Sequence, residues 1–185
     1  MKKINFFLLF VFTLSLNVSA QHLTFKDIPI DGHIDNFIVK MQKIGFKTKE
    51  RYKERVIMTG RFTEEKCDAV IWYTSKTKTV FGIELYLPRQ IDGKTVMAQH
   101  EKYVDIYTEK YGKPKKKSLL GLSQRTQFKV TDGIIEVNIY PENLNLIIRY
   151  INIKNEYLQK DELNIIKEEK KIKEQNSYQR KKNDI

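Results

Sequence analysis

Three histidines, one cysteine and a scatter of carboxylates are the residues of this chain best suited to bond-making chemistry. A thiol beside an imidazole is the arrangement of a nucleophilic hydrolase, and Cys67 with His100 is the formal candidate. Nothing in their spacing brings them together. His100 falls on the apolar stripe of a predicted helix, where a core or edge imidazole is commoner than a ligand. Cys67 borders an apolar strand pattern, which predicts a buried, inert thiol. His22 and His33 fall at a terminus and at a helix start. Glu84, Glu101, Asp105 and Glu136 could share a surface, but their spacing forces no two into an acid–base pair, so a solvated face is the default. The chain has no glycine-rich phosphate loop, no Gly-x-Ser-x-Gly elbow and no spaced Cys/His metal set. The expectation is a protein that is not an enzyme and uses no cofactor or metal.

The aromatic content has more functional colour, with ten tyrosines and a single tryptophan. Trp72, Tyr86 and Tyr140 on an open sheet face would form a platform for a partner protein or a glycan. The plainer reading sets tyrosines at the rim of a core with their hydroxyls wet. Lys115, Lys116 and Lys117 lie in a basic loop, Lys113–Lys117 (KPKKK), and would give such a platform a positive rim.

The elements that must position these residues follow from periodicity. Leu23–Ile30 reads as an extended lead-in, with Pro29 marking an edge strand or arm. Asp31-Gly32 is a turn and a candidate helix start. Ile34, Phe37, Ile38, Met41 and Ile44 then make one apolar stripe, closed by Gly45. Strand patterns follow at Arg55–Phe62, with Gly60 as a candidate bulge, at Cys67–Thr74, and at Thr79–Leu87. Cys67–Thr74 is apolar on both faces around Val70-Ile71-Trp72, which marks a central strand. In Thr79–Leu87, Phe81, Ile83, Leu85 and Leu87 alternate with Gly82, Glu84 and Tyr86.

After Asp92-Gly93, Lys94–Tyr111 reads as a second helix. Its stripe is Val96, His100, Tyr103, Val104, Tyr107 and Tyr111, and Gly112 and Pro114 stop it. Strands are predicted at Gln124–Val130, Ile134–Tyr140 and Leu144–Ile153, with Asp132-Gly133 as a hairpin turn. The order is helix and three strands, twice over, in two halves spanning 31–87 and 92–153. It argues an α+β domain over 21–153, with an antiparallel sheet of about six strands and two helices on one face. Residues 154–185 form a charged tail, helical or disordered. Leu158, Ile165 and Ile172 are spaced by seven, but Asp161, Glu168 and Gln175 stand where a second seam is needed, so a solvated helix is the reading.

The first twenty residues have the pattern of a secretory signal peptide: Lys2 and Lys3, the apolar run Phe6–Leu16, and Val18-Ser19-Ala20 before cleavage between Ala20 and Gln21. The apolar run is short of the roughly 20 residues that span a bilayer, so the processed chain is not expected to span a membrane. Residues 21–185 keep 32 basic against 23 acidic residues, a net charge of +9. That balance favours anionic partners. For an exported chain these are acidic glycans, lipopolysaccharide or a membrane surface rather than nucleic acid.

The run Gln21–Gly32 (QHLTFKDIPIDG) resembles the mature start of a group of uncharacterised small secreted proteins of Bacteroides-type bacteria, which open on HLTFKGIPIDG after the signal peptide. A helix ending in Gly-Phe follows there, here Gly45-Phe46, and Lys110-Tyr111-Gly112-Lys113-Pro114 resembles their second helix end. Asp27 stands where that group has Gly, and His33 where Thr is common. The resemblance covers about 25 residues closely and implies export and an α+β domain; it implies no activity. The layout is also similar in architecture to periplasmic assembly lipoproteins and β-lactamase-inhibitor-like domains.

Together these features predict a secreted or periplasmic, non-enzymatic domain that binds a protein or envelope component through an open sheet face. The alternatives are an envelope hydrolase without a linear motif, and salt-sensitive docking on anionic lipid or polysaccharide.

Overall fold

The computed structural model describes residues 22–120, 123–140 and 144–183; the predicted leader and its predicted cleavage site between Ala20 and Gln21 lie outside them. The chain begins with a hairpin, β1 (Thr24–Phe25) and β2 (Ile28–Pro29). Its turn residues Lys26 and Asp27 both have positive φ, 47° and 65°, the backbone of a tight two-residue turn that twists with its strands. The extended lead-in is thus folded back on itself, and Phe25 is driven fully into the core.

Helix α1 (Ile34–Lys43) follows. Its cap is His33 rather than Asp31-Gly32: the His33 Nδ1 accepts from the Asp35 N–H at 3.3 Å. The predicted stripe is the buried one, with Ile34, Phe37, Ile38 and Met41 inside. Four strands come next, β3 (Lys47–Arg51), β4 (Arg55–Phe62), β5 (Glu65–Tyr73) and β6 (Val80–Tyr86). Helix α2 (Gly93–Tyr111) is capped by Asp92, whose Oδ1 accepts from the Thr95 N–H at 2.7 Å. That bond holds the Asp92 carboxyl below its usual range. A second set of four strands is β7 (Lys116–Leu120), β8 (Ser123–Lys129), β9 (Gly133–Tyr140) and β10 (Asn145–Asn152). Helix α3 (Ile153–Asn183) ends the described chain.

The sheet has eight strands in the order β3-β4-β5-β6-β10-β9-β8-β7, two more than the periodicity predicts, and every pairing is antiparallel. Each set of four is a meander, and the two meet at their last strands, β6 and β10. The centre is therefore β6–β10, and β5, predicted central, is third from one edge. The two added strands are the edges. In β3 all five residues are exposed, so no alternation marks it. β7 begins at Lys116, inside the stretch predicted as a basic loop. Gly60 makes no bulge; it pairs in register with Cys67, and a Cβ there would stand 2.6 Å from the Phe46 ring. The irregularities fall instead between Thr48 and Glu50 and between Trp72 and Tyr73. The second of these leaves Phe81 half-buried while Val80 is buried.

Both helices bury their stripes in one core with the same face of the sheet. Its hub is Phe25, whose ring lies 5.6–5.8 Å from those of Phe46, Phe62 and Tyr150. Burying a phenylalanine side chain fully contributes about 1.5–3 kcal/mol.

The tail predicted as charged and solvated is a helix whose start belongs to the body. Its inward residues are Asn155, Gln159 and Glu162, all buried, while Ile165 and Ile172 are about half exposed. The polar stripe holds the β5–β6 loop. Gln159 Oε1 accepts from the Ser75 N–H at 2.8 Å, and Glu162 accepts from the N–H groups of Lys76 and Thr77 and from the Thr77 hydroxyl. Burial alone would raise the Glu162 carboxyl, but these donors hold it below its ordinary value. Glu162→Ala leaves those amides without an acceptor. It is expected to weaken the attachment of this loop by about 1–3 kcal/mol and to speed amide exchange at Lys76 and Thr77 more than in β9. Unaltered exchange at both would show that the loop does not depend on α3.

Candidate functional site

The face of the sheet opposite α1 and α2 is the candidate site. It is built from the polar member of each alternation, and cross-strand register sets its pattern. Val70, Glu84, Arg149, Glu136 and Gln127 stand directly opposite one another along one row. Asp68, Tyr86, Ile147, Asn138 and Arg125 form the next row on one side. Trp72, Gly82, Ile151 and Ile134 form the row on the other.

The middle row is a ladder of alternating charge. The Tyr86 hydroxyl donates to Glu84 Oε2 at 2.9 Å, and Arg149 Nε donates to Glu84 Oε1 at 2.8 Å. Arg149 Nη1 lies 3.6 Å from Glu136 Oε2. Arg125 donates to Glu136 Oε1 through Nε at 3.1 Å and also through Nη2. Gln127 and Asn138 complete the shell of Glu136 at 3.0 and 3.4 Å. The layering is uneven: the side chains of Glu136 and Glu84 are 0% and 13% exposed, those of Arg149 and Arg125 34% and 50%. The acids lie beneath the guanidinium groups. Burial would push the Glu136 carboxyl up, but the bonds from Arg125, Gln127 and Asn138 hold it below the usual range. The Tyr86 hydroxyl is pushed up to about 12, by burial first and by the Glu84 charge second.

Of the residues singled out by sequence, Trp72, Tyr86 and Tyr140 all fall on this face, yet they form no continuous platform. Tyr86 and Tyr140 lie towards one end. Trp72 lies four residues away along the strand direction, about 14 Å, with the ladder between. Trp72 packs under the Arg55 guanidinium, 5.5 Å from its ring centroid, and its buried Nε1–H meets no acceptor. Lys115 is exposed and its N–H bonds to the Gln127 carbonyl at 2.9 Å. Lys116 and Lys117 occupy β7, across from Gln127 and Thr126. They are strand residues at the sheet edge and not a loop.

Glu84 and Glu136, two of the four scattered carboxylates, are brought together through Arg149. Glu101 and Asp105 are exposed on α2, in the other layer. Arg125 and Arg149 carry no motif in the sequence. The signal of Arg149 is a lone charge inside an apolar strand, Asn145–Asn152 (NLIIRYIN), whereas Arg125 sits in the polar strand Ser123–Lys129 (SQRTQFK) and has none. The Cys67 thiol is buried and pushed up to about 11, chiefly by desolvation and then by Asp68. Cys67 is in β5 while His100 bonds the Val137 carbonyl of β9 at 3.2 Å, so β6 and β10 separate them.

Where α3 leaves the sheet, its first turn borders an open groove of about 250 Å³. Trp72, Ile151 and Glu156 line it, Gly82 forms its floor, and Arg149 and Glu84 stand at its far side. Among the described residues no group of three or more His, Cys, Asp or Glu side chains could hold a metal ion, and no helix is long and apolar enough to cross a membrane.

Glu136→Gln tests the ladder. A carboxyl held below its unfolded value adds stability that is present above about pH 4.5 and lost as pH falls through the folded value. The variant is expected to be less stable by about 1.5–3 kcal/mol at pH 7, and the gap should close on acidification. A gap that stays constant from pH 7 to 3 would contradict the assigned charge. Comparison of the chain with protein-family models, with curated proteins and with solved structures finds no match.

Proposed function

We propose that this chain is an exported, non-enzymatic binding module whose open sheet face docks a partner protein. The observation behind it is the composition of that face: Trp72, Tyr86 and Tyr140 stand around a ladder whose outermost groups are the guanidiniums of Arg149 and Arg125. Aromatic residues and arginine are the types most enriched at interface hot spots. The arginines are already oriented by the acids beneath them, so little side-chain freedom remains to be lost on docking. The unpaired Trp72 Nε1–H is a polar cost within the face that rearrangement on docking can remove. Export rests on the leader pattern of residues 1–20, and the resemblance of the mature start to small secreted proteins supports the same compartment.

The chemistry of the site favours binding over hydrolysis. Glu84 and Glu136 are each paired with an arginine, and the bonds to Glu136 hold its carboxyl below the usual range, which is unsuited to a general acid. The Cys67 thiol is buried in the opposite layer.

The reading is tested by capturing envelope proteins on residues 21–185 and comparing Trp72→Ala and Tyr86→Ala with the parent chain. Both variants are expected to lose the captured partner while keeping the parent's far-ultraviolet circular dichroism. Capture that survives both substitutions and disappears with salt would overturn the reading and move the activity to the basic stretch of α3 from Lys170 onward.

A further inference from the structure

The groove beside Trp72 and the ladder beside it are two parts of one shape. Trp72, Gly82 and Ile151 lie in a single cross-strand row, so the missing side chain at Gly82 leaves a notch between an indole and a branched aliphatic group. A Cβ at Gly82 would sit only 3.2 Å from the Tyr150 carbonyl oxygen, so the strand itself forms the floor. At about 250 Å³, the notch is below the roughly 300–1,000 Å³ of small-molecule sites and suits one large apolar side chain.

One side of the notch is charged in a directed way. Arg149 reaches Glu84 through Nε and faces Glu136 with Nη1 at 3.6 Å. A guanidinium has five N–H donors in a fixed fork, so donors remain for an outside acceptor. Because Glu84 and Glu136 lie lower than Arg149 and Arg125, an incoming chain meets cations first. Around the ladder the same face carries Lys47, Lys49, Arg55, Arg61, Lys66 and Lys129 against Glu50 and Asp68. The acid nearest the notch on the helix side, Glu156, has Lys160 at 3.6 Å. The potential over the face is positive, and its complement is negative.

Resting on the proposed docking role of this face, we infer that the partner is an acidic protein segment. It seats an apolar side chain in the Gly82 notch and an adjacent aspartate or glutamate on Arg149. The notch selects the apolar residue, and the bidentate geometry of a guanidinium with a carboxylate fixes its orientation.

Trp72 is the only tryptophan, so its emission reports on the notch without any substitution. Random twelve-residue peptides displayed on phage are selected on residues 21–185, and the enriched peptides are synthesised and titrated. An apolar residue next to Asp or Glu is expected to recur. Binding should shift Trp72 emission, and replacing the peptide's acid by its amide should weaken binding about tenfold or more, as should Trp72→Ala. Peptides that shift Trp72 emission yet bind equally well as amides overturn the acidic requirement and leave the docking face standing. Peptides that bind without changing Trp72 emission and tolerate Trp72→Ala overturn the inference and the docking face together. Failure to enrich any peptide overturns the inference alone, since a folded partner surface would still be admitted.

Discussion

The pairing of β6 with β10 is the constraint on which the rest of this structure depends. It joins two meanders that are otherwise separate, through strands about 60 residues apart in sequence. The register Ile147↔Tyr86 to Ile151↔Gly82 decides what each face displays. It sets Ile148 beside Leu85 and Tyr150 beside Ile83 in the core, and Arg149 beside Glu84 outside. A slip of one residue would send Arg149 in among the Phe25 and Tyr107 rings and put Ile148 in water. Apolar pairs on one face and an ion pair on the other therefore enforce the same register. The β9 pairing extends the argument by setting Glu136 against Arg149.

The ends of the sheet are controlled by other means. β3 is a charged edge with every residue exposed, which discourages addition of a further strand. At the end where β5 turns into β6, α3 is attached by polar side chains. Asn155 donates to the Val80 carbonyl at 3.0 Å and to Asp31 at 2.9 Å, while Gln159 and Glu162 hold the loop amides. Such contacts are directional, since each buried donor or acceptor is costly when left unmade. They fix where the helix starts along the sheet, whereas an apolar stripe would tolerate sliding.

How legible this was in the sequence divides along physical lines. The helices were readable because each buries a single stripe, and β9 and β10 because one face of each is apolar. The edges were not, because the alternation signal comes from burial and β3 has none. The start of α3 misled for the converse reason: its inward residues are Asn155, Gln159 and Glu162, while the seven-residue spacing runs through Ile165 and Ile172, which face solvent. The ladder was half visible. Glu84 and Glu136 stood out as carboxylates, but Arg125 and Arg149 are 24 residues apart in sequence and meet Glu136 only through register. A lone charge in each of three apolar strands was the available clue.

Stability alone is a poor account of that ladder. Exposed ion pairs contribute about 0–1 kcal/mol, and burying an acid as fully as Glu136 carries a desolvation penalty of several kcal/mol that its partners must offset. Threonine or valine at these positions would form the sheet with less at risk. What the ladder does achieve is geometric. It holds two guanidinium groups in fixed orientation on a wet surface, beside an indole and a glycine notch. Free arginines would lose about 2 kcal/mol of rotamer freedom each when a partner orders them; here the acids have already ordered them. An arrangement of this kind stabilises the fold weakly and leaves two oriented guanidinium groups at its surface, which is what the proposed docking of a partner on this face requires.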